Sequence, residues 1–150
     1  MAVVIHSVDN YKIDFSFFPS IGNIRRFATM GKNVVEMYWP GEKKLAFEVE
    51  VCLIEALSNV FFHANNLKQD GSISFQLKKK SNKLQIRVFD KGKGFALSKH
   101  FSQKINPYQT NGRGLQLIQE FTDNVKYKRG KSRNELWLEK TVSFPAVEKI

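Results

Sequence analysis

From Tyr11 to Phe18 apolar and polar residues alternate, the period of a strand with one buried face, and Pro19 ends it. A shorter apolar run, Val3 to Ser7, predicts a partner strand across a turn at Asp9-Asn10. The period then changes. Ser20 is placed to cap a helix that carries Ile21, Ile24, Phe27, Ala28, Val34 and Val35, and Tyr38-Trp39-Pro40-Gly41 stops that helix.

The best-patterned element runs from about Lys44 to Asn65. Ala46, Val49, Leu53, Ala56, Val60 and Ala64 recur at three- and four-residue steps and predict a core-facing stripe. Cys52, Glu55, Asn59 and His63 follow the same spacing on a second face, as expected of a helix that packs on one side and lines a ligand site on another. After Asp70-Gly71, strands are predicted from Ser72 to Lys79 and from Lys83 to Phe89, joined through Lys80-Ser81-Asn82. Residues 96–111 lack a clear period, with a short helix from Leu97 to Gln103 the most they suggest. Gly114 to Phe121 reads as helix, and Asn124 to Lys128 with Asn134 to Lys140 as a closing hairpin through Arg129-Gly130.

These elements predict an α+β fold, a two-layer sandwich with a mixed, mostly antiparallel sheet and helices on one face; short connections favour antiparallel pairing. The 150 residues suit a single domain, 1–150, and show no internal repeat. No apolar run approaches the roughly 18 residues of a membrane span, and the N-terminus lacks a basic region and cleavage site, so no signal peptide is expected. The lone Cys52 excludes an internal disulfide and fits a reducing cytoplasm.

A formal charge of +10 changes the picture. Basic residues gather at Lys78-Lys79-Lys80, at Lys91 and Lys93, and from Lys126 to Arg133. Such a field attracts polyanions, whether nucleic acid, acidic lipid, nucleotide phosphate or an acidic protein, unless it is only solvated strand ends and loops. The aromatics fall at core-type spacings rather than in an exposed stacking row, which argues against a nucleic-acid-binding protein.

Three motifs carry candidate chemistry. Glu55 and Asn59 stand one helical turn apart: a carboxylate can take a proton from a hydroxyl, and a carboxamide oxygen is a hard ligand suited to Mg²⁺. Asp90 closes an apolar strand and is followed by Gly92 and Gly94, a place where a carboxylate could accept from an exocyclic amine while glycines admit a planar base. A dinucleotide fingerprint would need glycine where Leu97 stands. Gly112-Arg113-Gly114 leads into a helix, whose free backbone N–H groups attract phosphate and to which Arg113 could add a charged contact. Each motif has an ordinary alternative, as a surface pair, a turn or a helix entry. Together, in this order, they describe a cradle for ATP and Mg²⁺ without a Walker-type loop.

In this arrangement the chain resembles the GHKL ATPase superfamily, the Bergerat ATP-binding fold of gyrase-type, chaperone-type, histidine-kinase and mismatch-repair proteins. Glu55 and Asn59 match its N box, Asp90, Gly92 and Gly94 its first glycine box, and Gly112, Gly114 and Leu115 its second. The stretch from Glu55 to Ala64, with Gly112 to Ile118 followed by Asp123 and Val125, is most similar to the bacterial anti-sigma-factor serine kinases. Sensor histidine kinases often carry a basic residue where Phe62 stands, and no phosphoacceptor hairpin precedes the match, so His63 is not expected to be phosphorylated.

The resemblance implies that Glu55 is the general base, Asn59 the Mg²⁺ ligand and Asp90 the reader of adenine beside Gly92 and Gly94. Gly112, Arg113, Gly114 and Leu115 would meet the phosphates, His63 the nucleotide or the core, and residues 96–111 would form a lid. It further implies a cytoplasmic homodimer that phosphorylates a STAS-type antagonist and sequesters a sigma factor. The other class is a nucleotide-regulated binding module that transfers no phosphate. The chain departs from the family pattern at Arg133-Asn134, where Gly-Thr is usual, which puts a nucleotide contact there in doubt.

Overall fold

The computed structural model describes residues 2–5, 11–64, 73–90 and 113–142. Along these the chain forms β1 (Ala2–Ile5), β2 (Lys12–Phe17), α1 (Ile21–Tyr38) and α2 (Lys43–Asn59), the last continued by a π-helical turn, Val60–Ala64. Then follow β3 (Ile73–Lys80), β4 (Lys83–Asp90), α3 (Arg113–Phe121), β5 (Asn124–Lys128) and β6 (Asn134–Thr141). The strands make one sheet in the order β1-β2-β3-β4-β6-β5, and every described pairing is antiparallel.

Alternation decides which side of the sheet meets the helices. Ile13, Leu77, Ile86 and Leu138 stand opposite one another across four strands, as do Phe15, Phe75, Val88 and Leu136, and all eight are buried. They pack on Ile24, Phe27, Ala28 and Val35 of α1 and on Val49, Leu53, Ala56 and Leu57 of α2. Rings reinforce this core: Phe15 stacks on Phe75 at 4.5 Å and Phe17 on Phe27 at 4.4 Å between centroids. The other face carries Asp14, Gln76, Arg87 and Trp137 in one row, with Gln76 Nε2 donating to Asp14 at 2.7 Å. A one-residue slip would exchange the two faces, so burial enforces register.

Local chemistry sets the ends of the elements. Ser20 caps α1, its hydroxyl accepting from the Asn23 N–H at 3.0 Å. Trp39 closes it, and Gly41, at φ +88°, makes the turn into α2. Ser81, at φ 56°, and Asn82 form the tight β3–β4 turn.

Three expectations change. Ile21, assigned to the buried stripe, is 56% exposed, because it starts α1 before the helix reaches the sheet; Gly31 takes a core place, packed so closely that a Cβ would meet Leu53. Cys52, assigned to the polar face of α2, is buried in the core beside Ala56 and Leu138, since α2 has neighbours on both flanks and its apolar arc is wider than one stripe. The long helix is not regular to Asn65: it passes into the π-helical turn at Val60, with Phe61 packed on the core and Phe62 exposed. The turn at Asp9-Asn10, the segment 96–111 and the short helix within it lie outside the described residues.

Candidate functional site

Helices α2 and α3 pack side by side, and their contact brings two of the motifs together. Gly114 is the second residue of α3, and a Cβ at this position would fall on Oε2 of Glu55, 3.1 Å from its Cδ and 3.3 Å from its Cβ. Only hydrogen fits there. The Glu55 carboxyl thus lies against the opening turn of α3, where backbone N–H groups lack intrahelical acceptors. Burial pushes the pKa of Glu55 above the usual carboxylate range.

One turn further along α2, Asn59 is half-buried, and its Nδ2 is buried without a hydrogen-bond partner among the described residues. A buried amide nitrogen left unpaired is costly. That nitrogen is a donor, so what it lacks among the described residues is an acceptor, and the carboxamide oxygen is the atom that could meet a cation. A lone carboxamide with a neighbouring carboxylate suits Mg²⁺, which takes few protein ligands and keeps waters and phosphate oxygens; Asn59 fits that part. Among the described residues no group of three or more His, Cys, Asp or Glu could hold a metal.

Asp90 ends β4 and is 5% exposed. In the β4–β6 register it faces Asn134, whose Nδ2 donates to Oδ1 at 2.8 Å, while the Tyr127 hydroxyl donates to Oδ2 at 3.3 Å. Asn134, where the chain departs from the family pattern, thus bonds to Asp90. The sequence singles out neither Asn134 nor Tyr127 as a partner of Asp90. The available signal was that Asn134 opens the strand expected to close the sheet, but the pairing that sets it opposite Asp90 is not written locally. Arg133 lies over the Phe89 ring at 3.9 Å and Arg87 pairs with Glu135 at 2.9 Å, both beside the Asp90–Asn134 pair.

Of the other motif residues, Arg113 and Leu115 belong to the first turn of α3 and His63 to the π-helical turn; their side chains lie outside the described residues, as do Gly92, Gly94 and Gly112 altogether. Cys52 is removed from the polar face, and burial pushes its thiol up to about 12, so it is not a nucleophile at neutral pH. No described helix is long and apolar enough to cross a membrane.

Comparison with known proteins agrees with this geometry. Relatives include the serine/threonine-protein kinase BtrW of Bordetella bronchiseptica, 27% identical over 99 residues, 63% of this chain and 70% of that protein. The serine-protein kinase RsbW of Listeria innocua is 32% identical over 88 residues, 53% of this chain and 55% of that protein. The chain thus spans little more than half of the Listeria relative. Among solved structures, a chain of the SiaB-SiaC complex from Pseudomonas aeruginosa shares the fold with a TM-score of 0.55 at 14% identity, over 86% of this chain and 89% of that one. The family model of the histidine kinase-like ATPase domain matches residues 21–140, from the first residue of α1 to the penultimate residue of β6. With the match covering most of the chain, this protein belongs to the histidine kinase-like ATPase domain family, and its curated relatives are protein serine kinases.

Proposed function

We propose that this domain is an ATP-dependent protein serine kinase of the anti-sigma type, which phosphorylates a small STAS-type antagonist and, when free, sequesters a sigma factor. The observation that carries the reading is the Glu55 carboxyl lying on Gly114 at the start of α3. That contact supports reading Glu55 as a base beside a phosphate site. The kinase names of the Bordetella and Listeria relatives support the same reading.

In this mechanism Asp90 accepts a hydrogen bond from the adenine amine, and the N–H groups of Arg113 and Gly114 hold the phosphate chain. Asn59 would hold Mg²⁺ through its carboxamide oxygen. When bound, the metal neutralises phosphate charge as it develops. Glu55 takes the proton of the acceptor serine hydroxyl as that oxygen bonds to the γ-phosphorus; the bond from the γ-phosphorus to the β–γ bridging oxygen breaks, and ADP departs. The raised pKa of Glu55 serves this step, because a base works best when its pKa lies nearer the working pH. Orientation and electrostatics supply the rest of the barrier reduction.

Incubating the protein with labelled ATP, Mg²⁺ and the antagonist tests this. A phosphoserine on the antagonist that disappears with Glu55→Gln is the expected result. Nucleotide-dependent binding of the antagonist without label would instead establish the regulated binding module.

A further inference from the structure

The geometry points to Asn134 and Tyr127 as positioning residues for base selection: together they clamp the Asp90 carboxylate in the orientation that accepts an amino group and rejects a carbonyl at the same place on the base. This rests on the reading of Asp90 as the residue that meets the nucleobase, and goes beyond it by naming what makes Asp90 selective.

Asp90 and Asn134 are direct cross-strand partners, so the distance between their backbones is set by the sheet rather than by side-chain flexibility. Both are almost wholly buried, at 5% and 4% exposed, and a buried carboxylate would be costly without donors. Asn134 supplies one to Oδ1 at 2.8 Å. A carboxylate only accepts, so the amide orientation follows: Nδ2 must face Asp90 and Oδ1 must point away. Tyr127 supplies a donor to the other oxygen, Oδ2, at 3.3 Å. It comes from β5, beyond β6, opposite Leu136 and so two positions along β6 from Asn134. With Asn134 on one oxygen and Tyr127 on the other, rotation of the carboxylate would break both bonds.

A carboxylate has about four lone-pair sites, more than Asn134 and Tyr127 take between them. Held in this way it can accept from an exocyclic amine, whereas a carbonyl oxygen in that place would meet lone pair against lone pair. Selection against the wrong group is therefore larger than the value of the hydrogen bond alone, because a mismatched base leaves a buried polar group unpaired. Arg133 over Phe89 and the Arg87–Glu135 ion pair brace the strands on either side of this pair.

The test measures binding of ATP and of inosine triphosphate, which carries a carbonyl where adenine carries the amine, by titration calorimetry of the full chain. Asp90→Asn, which can present a donor, should collapse or reverse the preference for ATP. Asn134→Leu should reduce the ATP-to-inosine ratio about tenfold and Tyr127→Phe by a smaller factor, with Asn134→Thr, which keeps a hydroxyl donor, recovering most of the preference. Asn134→Leu and Tyr127→Phe variants that weaken both nucleotides equally, at an unchanged ratio, would show bracing alone and overturn the proposal. An unchanged ratio in Asp90→Asn would overturn the reading of Asp90 itself, and this inference with it. Thermal melts of each variant identify any failure to fold, and Tyr127→Phe, which removes one oxygen, carries the test should Asn134→Leu fail.

Discussion

The carboxyl of Glu55 occupies the space that a β-carbon on Gly114 would need. Glycine here is required by a neighbour and not by its own backbone. Gly114→Ala should therefore push the Glu55 side chain off the start of α3. The obstructing atom is the far end of a flexible side chain, so the fold should survive at a cost of about 1 kcal/mol. Serine phosphorylation should fall at least about tenfold, since a base displaced by an ångström no longer reaches its proton. A melt together with an initial-rate assay separates the two effects; full activity in Gly114→Ala would remove the contact from the mechanism.

Glu55→Gln should keep nucleotide affinity and lose on the order of 10²–10⁴ in transfer rate. Its stability should move the other way. Burial raises the folded-state pKa of Glu55, so the folded protein holds that proton more tightly than the unfolded chain. The resulting stabilisation is complete below the unfolded carboxyl pKa and is lost as pH rises through the folded value. Above that value the wild type carries a desolvated charge that the glutamine lacks. Glu55→Gln should thus melt higher than wild type at neutral pH, with the gap closing in acid, and the wild-type transfer rate should fall as Glu55 protonates. Melts and rates across pH 4 to 8 check both.

Asn59→Ala should abolish the Mg²⁺-dependent part of nucleotide binding. Because the Nδ2 of Asn59 is buried without a partner among the described residues, its removal should leave the nucleotide-free protein no less stable. ATP with Mg²⁺ should raise the melting temperature of the wild type and much less that of the variant. Equal shifts in both would refute the metal role.

Lys140 joins β6 to the helix layer: its ammonium donates to Glu48 Oε2 at 2.9 Å and to the Phe121 carbonyl at 2.7 Å, over the buried Cys52. Lys140→Met leaves Glu48, 9% exposed, without this partner and should cost about 3 kcal/mol, the low end for a buried pair because Lys140 keeps some solvent. Adding Glu48→Gln should recover most of that loss in a denaturant titration. Cys52, held as a thiol by burial, should react with a thiol reagent at pH 8 only at the rate of opening or unfolding.

Much of this protein could be read along the chain. The alternation from Tyr11 to Phe18, the Ser20 cap, the period of α2 and the turn after Lys80 are local properties, decided by residues within a few positions, and the strands and helices stand where these signals set them. The positions of Glu55 and Asn59 in a helix, of Asp90 at a strand end and of Gly114 at a helix start were also legible, since each lies within one element. What only the tertiary structure decided is where separate elements meet. Cys52 shares the spacing of Glu55 and Asn59 yet lies in the core, because the packing of neighbours on both flanks of α2 chooses its buried arc. Asn134 reaches Asp90 across 44 residues because the register of β4 on β6 sets them opposite, and Glu55 meets Gly114 because α2 and α3 bury their apolar faces together. Register and helix contact minimise the exposed apolar area of the whole domain, a sum over distant residues that no local window contains.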